Sequence, residues 1–196
     1  MLQNKKAITS YPIMSLIAER WSPRAFENRP LEDEKIMSIF EAGRWSASSM
    51  NDQPWRFVYA KSLNNEHFAK LFDTLTDGNK LWVKNVPLLI ACFYKKTYFS
   101  VNRENRNAKF DLGLAVQNMT IQALNLEIFV HPMGGFDVAK LKLNLNISED
   151  FEPVIILAAG YLGNPDILPE DVKIKELATR TRKKLDEIAF EGKATF

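Results

Sequence analysis

VPLLIACFY (Val86–Tyr94) and VIILAAGY (Val154–Tyr161) are near-continuous apolar runs of strand length. Such runs are expected where a strand is covered on both faces, because successive side chains point to opposite sides and both sides must then be apolar. Between them runs the longest helical pattern in the chain, from about Arg103 to Leu124. Phe110, Leu114, Met119, Ile121 and Leu124 there alternate with polar positions at helical spacing. A helix of that length between two buried strands is expected to be the central helix.

Working outward, Met14–Arg20 reads as a short helix, followed by an irregular Trp21–Pro30 and a helix from about Glu32 to Gly43. Glu32, Asp33 and Glu34 suit the positive end of that helix, and Ile36, Ile39 and Phe40 share one face. A loop of small polar residues, Ser46–Pro54, leads into a strand at Trp55–Ala60. A helix at Glu66–Leu75 is expected to break at Asp77-Gly78-Asn79. His131–Asp137 reads as a Pro/Gly turn and Val138–Leu143 as a short helix. Length and composition fit one domain over residues 1–196, with residues 1–12 as a flexible or partner-contacting start. Residues 165–196 carry too few apolar side chains to pack as a unit, and read as an extended C-terminal arm lying along another surface, with a partner subunit as one such surface.

Hydrophobic residues make up 46% and charged residues 26% of the 196, the balance of an ordinary globular chain. The longest apolar run falls well short of the roughly 20 residues a membrane span requires. The polar start Met1–Tyr11 lacks a secretory core, so a cytoplasmic location is the default. One cysteine, Cys92, and two histidines, His67 and His131, leave no internal disulfide and little for a metal. Cys92 lies within an apolar strand and reads as a buried structural thiol. A net charge of +2 gives no footprint for nucleic acid.

Four constellations carry possible chemistry. Arg20-Trp21-Ser22-Pro23-Arg24 places two guanidinium groups and a hydroxyl where the chain leaves a helix, a set able to hold a phosphate. Ser48-Ser49-Met50-Asn51-Asp52-Gln53 offers short donors and acceptors suited to a flat heterocycle. His131-Pro132-Met133-Gly134-Gly135 allows backbone to approach a ligand closely. Arg180-Thr181-Arg182-Lys183-Lys184 is a second basic cluster. Each also has a plain alternative: a solvated arginine face, a capping cluster, a bare turn with a structural His131, and a solvated basic tail.

Taken in order, Arg20-x-Ser22-x-Arg24, Ser48-Ser49-x-Asn51-x-Gln53-Pro54-Trp55, Pro132-x-x-Gly135-Phe136, the strand from Glu152-Pro153-Val154 to Gly160-Tyr161 and the terminal Arg182-Lys183-Lys184-Leu185 resemble the nitroreductase family of FMN enzymes. The resemblance runs from about Ile13 to Glu191. It implies an α+β fold, a mixed central sheet flanked by helices, with the long helix near a homodimer interface and the C-terminal arm crossing to the partner. It implies that Arg20, Ser22 and Arg24 hold the FMN phosphate and ribityl chain with Arg180 and Arg182, and that Trp21 borders them. Ser48, Ser49, Asn51 and Gln53 would line the flavin, in part from the other subunit. Pro132 and Met133 would lead to Gly134, whose backbone N–H would face flavin N5, with Gly135 shaping the turn. The chain departs from the family pattern at Gly134, where several relatives are acidic, at Lys184, where many have proline, and at Trp21, where smaller residues are common.

Flavin chemistry needs no side-chain base, which agrees with a sequence lacking an acid/base pair, nucleophile triad or metal cluster. The expected reaction is a ping-pong transfer from NADH or NADPH through FMN to a small acceptor, a nitroaromatic, quinone or enone. Alternatives left open are reductive dehalogenation or flavin breakdown on the same fold, or an FMN carrier or redox sensor without useful turnover.

Overall fold

The computed structural model describes residues 5–61, 65–101 and 103–192. Expectations about residues 1–4 and 193–196 therefore lie outside the described residues.

The sheet is built from β1 (Trp55–Lys61), β2 (Leu88–Lys95), β3 (Phe129–Met133) and β4 (Phe151–Gly160), in the spatial order β1-β2-β4-β3. All three pairings are antiparallel. The mixed sheet implied by the resemblance is corrected among the described residues, where each of the four strands runs opposite to its neighbours.

The two apolar runs are the two central strands. In β2, Leu88, Ile90 and Cys92 face one side, packed with Ile36, Ile39, Leu112, Ala115 and Met119; Leu89, Ala91 and Phe93 face the other, with Phe68, Leu71, Trp82 and Leu141. The alternation of strand side chains therefore feeds two separate cores, so neither face can be polar. The first core is closed by α2 (Asp33–Arg44) and α5 (Ala108–Asn125), the second by α3 (Glu66–Asp73), α4 (Asp77–Val83), α6 (Val138–Leu145) and α7 (Glu170–Leu177). Gly43 allows α2 and α5 to touch: a Cβ there would sit 2.8 Å from Met119 Cγ and 3.0 Å from its Sδ. Cys92 is fully buried, and burial pushes its thiol far up from the ordinary range.

Three local expectations change. The helix that starts at Glu66 ends at Asp73, before Asp77-Gly78-Asn79, and that cluster begins α4, where Asp77 meets the positive end of the new helix. His131, Pro132 and Met133 belong to β3 and not to a turn. Proline is tolerated there because β3 is an edge strand with a free side. The central helix starts at Ala108, five residues later than expected, because Thr97 bridges Glu104 and Asn105 N–H donates to Lys96 O at 2.8 Å. The 165–196 segment is not extended throughout: α7 docks through buried Val172 and Glu176. No helix among the described residues is long and apolar enough to cross a membrane.

Candidate functional site

The chain leaves α1 (Ser15–Glu19) at Arg20 and is then pinned residue by residue. Trp21 is buried and meets Phe129 edge-on at 6.3 Å. Pro23 O lies 2.7 Å from His131 Nδ1. The N–H groups of Arg24 and Ala25 donate to the carboxylate of Glu176 at 2.9–3.1 Å. Glu27 N–H donates to Tyr161 O at 3.0 Å and Gly163 N–H to Ala25 O at 2.9 Å. This backbone is held by its neighbours, so the side chains it carries have a defined base.

Beside it lies a cleft of about 260 Å³ lined by Lys5, Arg20, Trp21, Ser22, Arg24, Lys175, Ala178, Thr179, Arg180 and Arg182. Both basic clusters expected to hold a phosphate therefore come from one chain to one place. The same cleft is short of negative charge. Burial, and then the neighbouring Arg182, lower the pKa of the Arg20 guanidinium; burial followed by Arg20 and Arg182 lower that of Arg180. Lys5 is lowered first by burial, with Glu176 opposing and Arg180 and Arg24 adding to the fall. Cations that destabilise one another at close range are relieved by an anion among them, and a phosphate monoester meets several guanidinium groups at once. Arg180 has a second task, since its Nη1 donates to Lys5 O at 2.6 Å and Ala18 O at 3.0 Å. Lys5 Nζ in turn donates to Ala178 O, and Ala7 N–H to Ala18 O at 2.8 Å, so this part of the start of the chain is stitched to the cleft.

Ser48–Gln53 lies elsewhere. Ser49 N–H donates to Asp111 Oδ2 at 3.1 Å, Ser49 Oγ is 3.1 Å from Tyr98 OH, and Gln53 N–H donates to Ser48 Oγ at 3.0 Å. Gln53 Nε2 donates to Asn51 O at 3.1 Å. Met50, Asn51 and Gln53 all have positive φ, near 50–56°. Such conformations cost energy in residues other than glycine and persist only where surrounding contacts hold them. The register fixes where this loop sits. It enters β1 at Trp55, which pairs with Tyr94, which pairs with Glu152; the cleft segment meets the sheet beyond Gly160, at the end where Lys61, Leu88 and Ala159 align. The two ends are about 20 Å apart at about 3.4 Å per residue. One chain does not bring these two parts together.

Pro132, Met133, Gly134 and Gly135 run away from the cleft end of the sheet, since Phe129 aligns with Gly160 and Met133 with Ile156, while His131 reaches Pro23 of the cleft segment. Gly135 O accepts from Thr76 N–H and Asn79 Nδ2, both at 3.0 Å, and a Cβ at Gly135 would fall 2.8 Å from Thr76 Oγ1. Gly134 is exposed, with open space where a Cβ would stand. His131 packs on Trp82 with ring centroids 4.6 Å apart; burial, ahead of any other influence, lowers its pKa to about 4. The imidazole is therefore neutral at pH 7 and its Nδ1–H can donate to Pro23 O.

Sequence reasoning missed Lys5, Lys175 and Glu176. Glu176 had a signal: it lies four residues after the apolar Val172, so a carboxylate falls on the buried face of α7. Lys5 and Lys175 had none, because a lysine in a polar, charged segment reads as solvated.

The model of the nitroreductase family matches residues 17–80, which takes in the Arg20–Arg24 and Ser48–Gln53 constellations. A solved structure described as an oxidoreductase containing FMN is 32% identical, covers 98% of both chains and superposes with a TM-score of 0.92. A nitroreductase family protein from Clostridium difficile 630, 22% identical over 91% of this chain and 97% of its own, shares the fold with a TM-score of 0.72. A Streptomyces coelicolor protein provisionally named NADH dehydrogenase/NAD(P)H nitroreductase is 21% identical over 77% of this chain and 83% of its own. The order of motifs, the antiparallel sheet between two helical layers and the near-complete superposition agree: this chain belongs to the nitroreductase family.

Proposed function

We propose that this chain is an FMN-dependent oxidoreductase that works as a cytoplasmic homodimer. The observation that carries the reading is the cleft in which Arg20, Arg24, Arg180 and Arg182 crowd together with their charges only partly answered. Arg20, Ser22, Arg24, Arg180 and Arg182 would hold the phosphate and ribityl chain of FMN, with Arg180 also fixing the cleft wall and Trp21 its floor. Gly134 would turn its backbone N–H toward flavin N5, and Pro132, Met133 and Gly135 set the course of that segment. Bound FMN supplies hydride chemistry, accepting from NADH or NADPH and giving to a nitroaromatic, quinone or enone-like acceptor.

The dimer follows from the distance between the two constellations. Ser48, Ser49, Asn51 and Gln53 stand at the far end of the sheet from their own cleft, so the copies that read a flavin ring would come from a partner subunit. Apolar surface supports a second copy: Met14 is 64% exposed and Phe110 on α5 68%. The arm would cross to the partner. Its Leu185 and Ile188 are exposed, and an apolar groove of about 520 Å³ beside edge strand β1, lined by Met37, Phe40, Trp55, Phe57 and Tyr59, offers cover.

The test is the absorption spectrum of the purified protein, followed by anaerobic addition of NADH or NADPH. A flavin spectrum that bleaches with either donor and returns with a quinone or nitroaromatic supports the reading. A protein that binds no FMN even after reconstitution removes it, and one that binds FMN without accelerated bleaching is a carrier.

A further inference from the structure

We infer that Glu176 is a positioning residue for the phosphate cleft, holding in place the backbone from which its arginines project. This rests on the FMN reading above. The side chain is wholly buried, and its two oxygens accept three bonds: Arg24 N–H to Oε1 at 3.0 Å and to Oε2 at 2.9 Å, and Ala25 N–H to Oε1 at 3.1 Å. Arg24 Nη1 is 3.9 Å from Oε2, and Lys5 also feels the charge. Burying a carboxylate is costly unless hydrogen bonds and a cation answer it, and here both do.

Glu176 lies on α7, two residues before Ala178, whose carbonyl accepts from Lys5, and four before Arg180. One carboxylate therefore joins the segment carrying Arg20 and Arg24 to the segment carrying Arg180 and Arg182. The two halves of the cleft come from residues more than 150 positions apart, and Glu176 sets their spacing.

Its charge and its geometry push cofactor affinity in opposite directions. A negative group beside a phosphate repels it, so removing the charge would by itself tighten binding. Loss of the backbone clamp would let Arg24 and its neighbours drift, which weakens binding. For a positioning residue, geometry decides.

The experiment measures dissociation constants of FMN and of riboflavin, which lacks the phosphate, for the full-length parent, Glu176→Gln and Glu176→Asp, by flavin fluorescence titration of apoprotein. Thermal melting without flavin first shows each variant to be folded. The parent is expected to prefer FMN strongly. Glu176→Gln is expected to lose about tenfold in FMN affinity, the size of one charge-assisted contact, with riboflavin affinity unchanged within about twofold. Glu176→Asp, with the charge drawn back by one methylene, is expected to fall between the two. A parent that binds FMN and riboflavin equally refutes the phosphate reading itself. Equal loss for both flavins in Glu176→Gln makes Glu176 merely structural, and unchanged or tighter FMN binding also overturns the inference. Should Glu176→Gln fail to fold, the same FMN-to-riboflavin ratio in Glu176→Asp decides.

Discussion

His131 on edge strand β3 and Pro23 in the cleft segment meet at 2.7 Å, imidazole Nδ1 to carbonyl oxygen, across 108 positions of sequence. The contact anchors the cleft to the strand that leads into Gly134, and it exists in one protonation state of interest. Burial lowers the His131 pKa from 6.5 to about 4, so the unfolded chain takes up a proton between those values while the folded chain does not. Stability from this group is complete above about pH 6.5 and is lost as pH falls toward 4, on the order of 2–3 kcal/mol over that window. His131→Phe keeps a ring against Trp82 and removes the titration. Denaturant unfolding at pH 7, 6, 5 and 4 should show the parent losing stability faster than the variant. Parallel curves would show that His131 does not hold its proton off.

Gly43 on α2 faces Met119 on α5 with no room for a Cβ between them. Gly43→Ala puts a methyl into fully buried Met119. Overpacking of about 1–3 kcal/mol outweighs the roughly 1 kcal/mol that alanine adds in helix propensity, for a net loss of up to about 2 kcal/mol. Gly43→Ala with Met119→Ala should cost less than the sum of the single changes, because the new methyl occupies part of the cavity. Additive losses in chemical denaturation would contradict the contact.

Arg20→Ala is expected to weaken FMN without unfolding the chain. The loss of one charge-assisted phosphate contact is about 1.5–3 kcal/mol, roughly tenfold to over a hundredfold in affinity. Titration of the apoprotein measures it, and an unchanged dissociation constant would return Arg20 to the solvated surface.

The two central strands and the helix beginning at Asp33 could be read in advance, the strands from apolar runs buried on both faces and the helix from its periodicity and its acidic first turn. Strand direction could not, since apolar runs look alike in parallel and antiparallel sheets; the resemblance suggested a mixed sheet and the described strands are antiparallel. The new helix at Asp77-Gly78-Asn79 was not legible, because the residue types that follow the end of one helix also suit the start of the next. At the site, Arg20, Arg24, Arg180 and Arg182 were identifiable by type and order. The clamp by Glu176 and the stitching of Lys5 to Ala178 were not, because they are contacts across more than 150 positions that no local pattern encodes.

Gly134→Ala and Gly134→Pro separate a backbone role from a packing role. Open space around the position means that Gly134→Ala should keep the parental melting temperature and rate of flavin reduction. Gly134→Pro removes the N–H proposed at flavin N5 and should slow reduction, once melting with FMN bound shows it folded. Anaerobic stopped-flow reduction by NADH or NADPH makes the comparison. A folded, FMN-loaded proline variant that reduces at the parental rate would remove Gly134 from the flavin.

The separation of Ser48–Gln53 from the arginine cleft, at opposite ends of one sheet, makes the shared site the central claim. Sedimentation equilibrium followed at the flavin absorption band tests it most directly, because it reports only the mass of the species that carries FMN. The account predicts two chains at every loading concentration at which flavin stays bound, with flavin released as the dimer dissociates. A monomer of 22.5 kDa that sediments with stoichiometric FMN would contradict it.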